Sequence, residues 1–188
     1  TSYGVMLVIG LAGGWLLARN RARKLGISAH HIDWLAPLLL AAGLGGALAA
    51  GQLVRAFSGP TSNDRVLWGG FVAAVLVAVL YGSTQRIPLR RLADAFAWSL
   101  PLGIICLRIG CFLAGCCWGA ACDLPWAITY SSPIAAENLG TPLHQHLHPF
   151  PVYSSMFNFG LYALLAAYYR RRPAAGRVFA TYLLLYGA

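Results

Sequence analysis

The chain has 188 residues, 59% of them apolar and only 10% charged, with a formal net charge of +9. A soluble domain carries about 25% charged residues, so there is too little charge here for a hydrated skin and too much apolar content for a disordered chain. What is left is a membrane-embedded protein, in which each span takes about 20 mostly apolar residues.

Six apolar segments follow in chain order: Tyr3–Ala18, Trp34–Val54, Val66–Ser83, Phe96–Ala114, Pro151–Tyr169 and Val178–Ala188. Each is predicted to be helical, because backbone exposed to lipid must satisfy its own hydrogen bonds. The expected fold is an all-α integral membrane protein, a polytopic helix bundle with residues 1–188 as one transmembrane domain. The first segment has no basic stretch before it and no small-residue cleavage site after it, so no cleavable signal peptide is expected. Within it, Gly10 and Gly14 share one helix face. In the second segment Gly43, Ala47 and Gly51 recur every four residues, a spacing that suits close helix packing. Asp33 and Asp94 each stand where a helix is expected to start, as N-caps.

The connections sort by charge. Arg19, Arg21, Arg23 and Lys24, then Arg86, Arg90 and Arg91, then Arg170, Arg171, Arg172 and Arg177 lie on alternate connections. These are all but Arg55, Arg65 and Arg108 of the fourteen cations. The other side balances its three with Asp64, Asp123 and Glu137. The positive-inside rule then places the basic connections in the cytoplasm and Thr1 outside. Contact with anionic lipid accounts for the arginines, and no nucleic acid is expected as a partner.

The connection between the fourth and fifth segments, about 115–150, is too long for a plain loop. It holds Trp118, Trp126, Ile128, Tyr130 and several prolines, and Trp126–Tyr130 reads as a short strand. It is expected to form a structured periplasmic cap. Before it, Arg108 sits near the outer end of an apolar helix. A charge at that depth is a functional candidate by default, and a guanidinium suits a lipid phosphate. Cys106, Cys111, Cys116, Cys117 and Cys122 gather at the same end, as disulfide or free-thiol candidates in an oxidising compartment. Their odd number excludes complete internal pairing. With His144, His146 and His148 they could ligate zinc or copper. Yet their spacing fits no familiar zinc pattern, so no metal and no cofactor are expected.

The run Arg108-Ile109-Gly110-Cys111-Phe112-Leu113-Ala114-Gly115-Cys116-Cys117-Trp118-Gly119 resembles the signature of the prolipoprotein diacylglyceryl transferases, Arg-x-Gly-Asn-Phe-x-Asn-Gly-Glu-x-x-Gly. Tyr3-Gly4-Val5-Met6 resembles the family's opening, Leu44-Gly45-Gly46 its second-helix glycine turn, and Trp68-Gly69-Gly70 its His-Gly-Gly. Asp123–Ala127, His148–Tyr153 and Leu185–Ala188 resemble later blocks. The resemblance implies an inner-membrane enzyme open to the outer leaflet, with one more helix beyond Ala188. Such an enzyme moves diacylglyceryl from phosphatidylglycerol to the cysteine thiol of a lipoprotein precursor.

On that resemblance Arg108 would hold the phosphate. Gly110 and Gly119 would allow close backbone approach, Tyr3 and Tyr153 would line the headgroup cavity, and Gly69, Gly70 and Cys111 would also meet substrate. The partners would be phosphatidylglycerol, other phospholipids and the precursor's signal peptide. Departures stand beside the matches. The family's His is Trp68 here, its signature Asn residues are Cys111 and Ala114, and its Glu is Cys116. The arginine that follows the family's second-helix glycines is Ala47, and the Glu after its late Tyr is Ser154. A base is still required to take the thiol proton, and His148 is the candidate. The alternative is a non-catalytic, lipid-binding or structural subunit among other membrane subunits.

Overall fold

The structure is a computed structural model that describes residues 2–58 and 63–187, with the side chains of 57, 58 and 63–65 left aside. Thr1 and Ala188, and the side chains of Asp64 and Arg65, lie outside the described residues. Eight helices are described: α1 (Ser2–Lys24), α2 (Ala29–Ser58), α3 (Asn63–Thr84), α4 (Leu89–Phe96), α5 (Ser99–Ala114), α6 (Pro133–Leu139), α7 (Phe150–Arg170) and α8 (Arg177–Gly187). Five stretches are long and apolar enough to cross a membrane: Ser2–Lys24, Ala29–Ala56, Val66–Thr84, Leu89–Ala114 and Phe150–Arg170. The expected sixth, α8, runs 11 residues within the described part. The apolar faces of these helices are bare, with Leu48, Leu76 and Leu184 among many exposed. Only a lipid solvent makes that surface economical.

The chain divides into two compact units, residues 1–17 with 96–188 and residues 18–95. In the second, α2 and α3 form a pair held by small residues. A Cβ on Gly70 would lie 2.6 Å from the Gly43 carbonyl oxygen and 3.3 Å from the Ala47 Cβ. One on Gly46 would lie 2.7 Å from the Gly69 carbonyl oxygen. The predicted face of Gly43 and Ala47 is thus in contact, widened by Gly46 and Ala50. Without a side chain between them the two backbones approach closely, which is how helices associate when lipid supplies no hydrophobic drive.

Two helix corners in this unit share one construction. At the first, Ile27 N–H donates to the Ala22 carbonyl at 2.9 Å and Gly26 N–H to Arg23 at 3.2 Å. At the second, Ile87 N–H donates to Gly82 at 2.8 Å and Arg86 N–H to Ser83 at 3.2 Å. Both are Schellman caps, whose turning residue adopts positive φ. Gly26 does so at +77° and Arg86 at +54°.

Asp33 and Asp94 do not cap their helices. Asp33 lies inside α2 and its Oδ1 pairs with Arg19 Nε at 3.2 Å; Asp94 lies inside α4, 3% exposed. The helices begin at Ala29 and Leu89, one to two turns earlier than the apolar runs suggest, because polar residues at a span's end still wind helically. For the same reason Arg19–Lys24 belong to α1 rather than to a connection.

In the other unit, α5 packs against α7, and Trp98, just before α5, is buried with Leu161 and Leu165 of α7 and Val178 and Tyr182 of α8. The Trp98 ring meets Tyr162 and Tyr169 edge-on, at 5.5 and 5.6 Å. Along α1, Gly10 faces Cys106, and the Gly14 carbonyl accepts from Ser99 Oγ at 2.7 Å, so the predicted glycine face here is also in contact. The segment 115–149 contains α6 and isolated bridges, Ala121 and Ile128 with Leu147 and Tyr130 with Leu143. The expected strand at Trp126–Tyr130 is absent from the described residues. Ile128 and Leu147 exchange two hydrogen bonds of 3.0 and 2.9 Å, but prolines and a turn at Leu124–Ala127 stop the ladder.

Candidate functional site

Helix α5 ends where the sequence candidates concentrate. Gly115 has φ +79° and closes a Schellman cap, with its N–H donating to Phe112 and Cys116 N–H to Cys111 at 3.0 Å. In that motif the side chains at the two ends of the longer bond come together, and here both are cysteines. Cys117 then takes positive φ, +59°, which folds the chain a second time. The sulfurs of Cys111, Cys116 and Cys117 consequently lie within 4.8 Å of one another, the first buried and the last exposed. All five cysteines are free thiols. Burial, first of all, pushes the Cys116 thiol up from its ordinary value. It also pushes up the Tyr130 phenol, with Cys116, Cys117 and Cys111 adding to the effect. The Tyr130 hydroxyl is buried without a hydrogen-bond partner among the described residues.

Arg108, two residues before Gly110, lies with its guanidinium carbon 5.4 Å from the centre of the Phe150 ring. Its Nε is buried with no hydrogen-bond partner among the described residues. No carboxylate of the described residues pairs with it. A guanidinium on an aromatic face is oriented but not neutralised, so its fork stays available to an anion. Gly110 lets α1 approach: a Cβ there would lie 3.2 Å from both the Tyr3 ring and the Met6 Cβ.

The start of α7 carries the polar groups. Trp126 Nε1 donates to the Tyr153 hydroxyl at 2.8 Å. His148 Nδ1 lies 3.2 Å from the same oxygen. Gly119 N–H donates to the His148 carbonyl at 3.0 Å, and His148 N–H to Ala120 at 2.9 Å. A Cβ on Gly119 would lie 2.7 Å from the His148 Cβ, so glycine is required for this strand-like approach. Thr141 Oγ1 reaches the Gly115 carbonyl at 2.7 Å, tying α6 to the end of α5.

The geometry thus joins Tyr3 with Gly110, Gly119 with His148 and Tyr153, and three of the five cysteines. Cys106 packs against Gly10, and Cys122 N–H donates to the His146 carbonyl; neither is in the sulfur cluster, nor are His144, His146 and His148. Gly69 and Gly70 belong to residues 18–95, where their contacts are with α2. Two participants were not singled out from sequence. Phe150, which supports Arg108, is 42 positions away in the chain and nothing in its spacing announces the pair. Trp126, which donates to Tyr153, was visible only as one of several aromatic residues.

A family model described as prolipoprotein diacylglyceryl transferase matches residues 1–188. The chain belongs to that family. Relatives named phosphatidylglycerol–prolipoprotein diacylglyceryl transferase include one from Clostridium tetani, 32% identical over 98% of this chain and 76% of the relative. Another, from Methylococcus capsulatus, is 30% identical over 98% and 72%, and one from Bordetella parapertussis is 29% identical over 99% and 73%.

Proposed function

We propose that this protein transfers the diacylglyceryl group of phosphatidylglycerol to the cysteine thiol of a prolipoprotein. The observation that carries the reading is Arg108, its Nε buried without a hydrogen-bond partner among the described residues and its guanidinium over the Phe150 ring, in a chain that matches the family over residues 1–188. The precursor's sulfur attacks the glyceryl carbon next to phosphate. A C–S bond forms, the C–O bond to phosphate breaks, and glycerol phosphate leaves with the bonding pair. Negative charge therefore grows on the departing phosphate, where the Arg108 guanidinium stabilises it.

The thiol proton needs an acceptor. His148 takes that role when its Nδ1–H donates to the Tyr153 oxygen and leaves Nε2 free. Trp126, donating to the same oxygen, fixes the hydroxyl and hence the imidazole. Tyr3, Gly110, Gly119 and Tyr153 then shape the headgroup site, and Cys111 stands beside it.

Residues 115–150 form a periplasmic cap, the basic connections face the cytoplasm and Thr1 lies outside, in a bacterial inner membrane. In this reading α8 is the start of a sixth span, with a further helix after it.

The test incubates the full-length protein in detergent with phosphatidylglycerol and a peptide carrying a lipobox cysteine. A diacylglyceryl mass gain on that cysteine is expected. No gain, under conditions where a relative such as the Clostridium tetani enzyme modifies the same peptide, overturns the proposal.

A further inference from the structure

Apart from Cys111, which stands beside the headgroup site, the sulfur cluster has no part in the transfer chemistry above, yet its construction is specific. Its three thiols come from a seven-residue stretch and are brought together by two backbone turns, at Gly115 and Cys117. The second is the informative one. A side-chain-bearing residue in the left-handed region costs about 1–2 kcal/mol that glycine would not, and strain of this kind persists where something is gained from it. What is gained at position 117 is a third sulfur within 4.8 Å of the other two. An unpartnered Tyr130 hydroxyl is buried on the same side of the α5 terminus, its ring 3.4 Å from where a Gly115 Cβ would stand.

Three is also the wrong number for disulfide chemistry. A disulfide would use two sulfurs and leave the third idle, whereas a metal ion uses all three. An ion about 2.3 Å from each sulfur holds them about 4 Å apart, a spacing close to the 4.8 Å within which all three already lie. Thiolate sulfur selects soft ions, Cu(I) and Zn(II) before any hard cation. No imidazole or carboxylate of the described residues joins the cluster, which favours a trigonal all-sulfur set and hence Cu(I). We infer that Cys111, Cys116 and Cys117 form a three-thiolate binding site for a thiophilic metal ion, with Cu(I) the best-matched occupant. Binding displaces the thiol protons to water. The ion would staple the end of α5 to the first residues of the connection that follows it.

The experiment uses the full-length, reduced protein in detergent, titrated with acetonitrile-stabilised Cu(I) against a chromogenic competitor, with metal per chain measured after gel filtration. A single equivalent retained is the expected result. Cys117→Ser and Cys116→Ser should each weaken retention by at least about tenfold, and Cys122→Ser should leave it unchanged. Because a serine variant could unfold, the wild type is also alkylated with iodoacetamide before and after Cu(I). Protection confined to Cys111, Cys116 and Cys117 supports the site. A parallel titration with Zn(II) that protects the same three supports it with a fourth position open to water. Copper retained equally by the triple serine variant, no retention against the competitor, or no protection of these three overturns it. So does finding two of them joined as a disulfide in protein isolated without reductant.

Discussion

Arg108 is the residue whose environment most constrains the chemistry. Its Nε is buried without a partner, and an unpaired guanidinium at that depth is expensive unless an anion completes it. Lysine would keep the charge but lose both the guanidinium's placement over the Phe150 ring and the two-pronged grip on phosphate. Arg108→Lys should therefore lower kcat about 10²-fold while the protein elutes and melts as the wild type does; turnover assays on the purified variant check this. His148→Gln should lower kcat about 10²-fold or more if the imidazole is the base. Tyr153→Phe, which removes the hydroxyl that orients it, should cause a smaller loss of kcat with little change in KM. Sequence alone exposed Arg108, because a charge in an apolar helix stands out without any structure. It could not expose Phe150 beneath it, since a pair separated by 42 positions leaves no local signature. Nor could it show that Asp33 answers Arg19, because a cap and an ion pair look alike at a helix's first turn.

At the scale of elements, glycine decides where helices touch and where they turn. Gly69→Ala would press a methyl onto Ala50 and to within 2.9 Å of the Gly46 carbonyl oxygen. Overpacking of this kind costs about 1–3 kcal/mol, so folded yield should fall and thermal unfolding in detergent should come earlier, even where substrate affinity in the surviving fraction is unchanged. A change in KM with unaltered folding would instead place Gly69 against substrate.

The paired corners make a second comparison. Gly26→Ala puts a side chain at φ +77° and should destabilise by about 1 kcal/mol. Arg86→Gly relieves the matching position and should be neutral or stabilising, as a melting series on the two variants would show. The helices themselves were legible as apolar runs, and the glycine faces as four-residue spacings. The break between α4 and α5 was not, because Ala97 and Trp98 continue the apolar run across it. The sulfur cluster was hidden for a different reason. Cys111 and Cys116 meet through a cap that Gly115 announces, but a cysteine at positive φ at position 117 has no sequence signal.

For the molecule as a whole, the proposed orientation rests on charge placement. If the basic connections are cytoplasmic, Cys117, which is exposed, should react with a membrane-impermeant maleimide added to intact spheroplasts. A cysteine introduced at Ser83 should react only after lysis. The reverse pattern would invert the topology and put the proposed site on the wrong face for a secreted precursor. The same composition that forbids a soluble fold leaves five apolar stretches long enough to span, and the family match extends over all of them.

The most direct measurement counts products. With vesicles of phosphatidylglycerol and a lipobox peptide, the full-length protein should release glycerol phosphate in equal amount to the peptide it lipidates, and Arg108→Ala should release neither while remaining folded. Glycerol phosphate and lipidated peptide formed at the wild-type rate by Arg108→Ala, or formed by neither protein, would contradict the account.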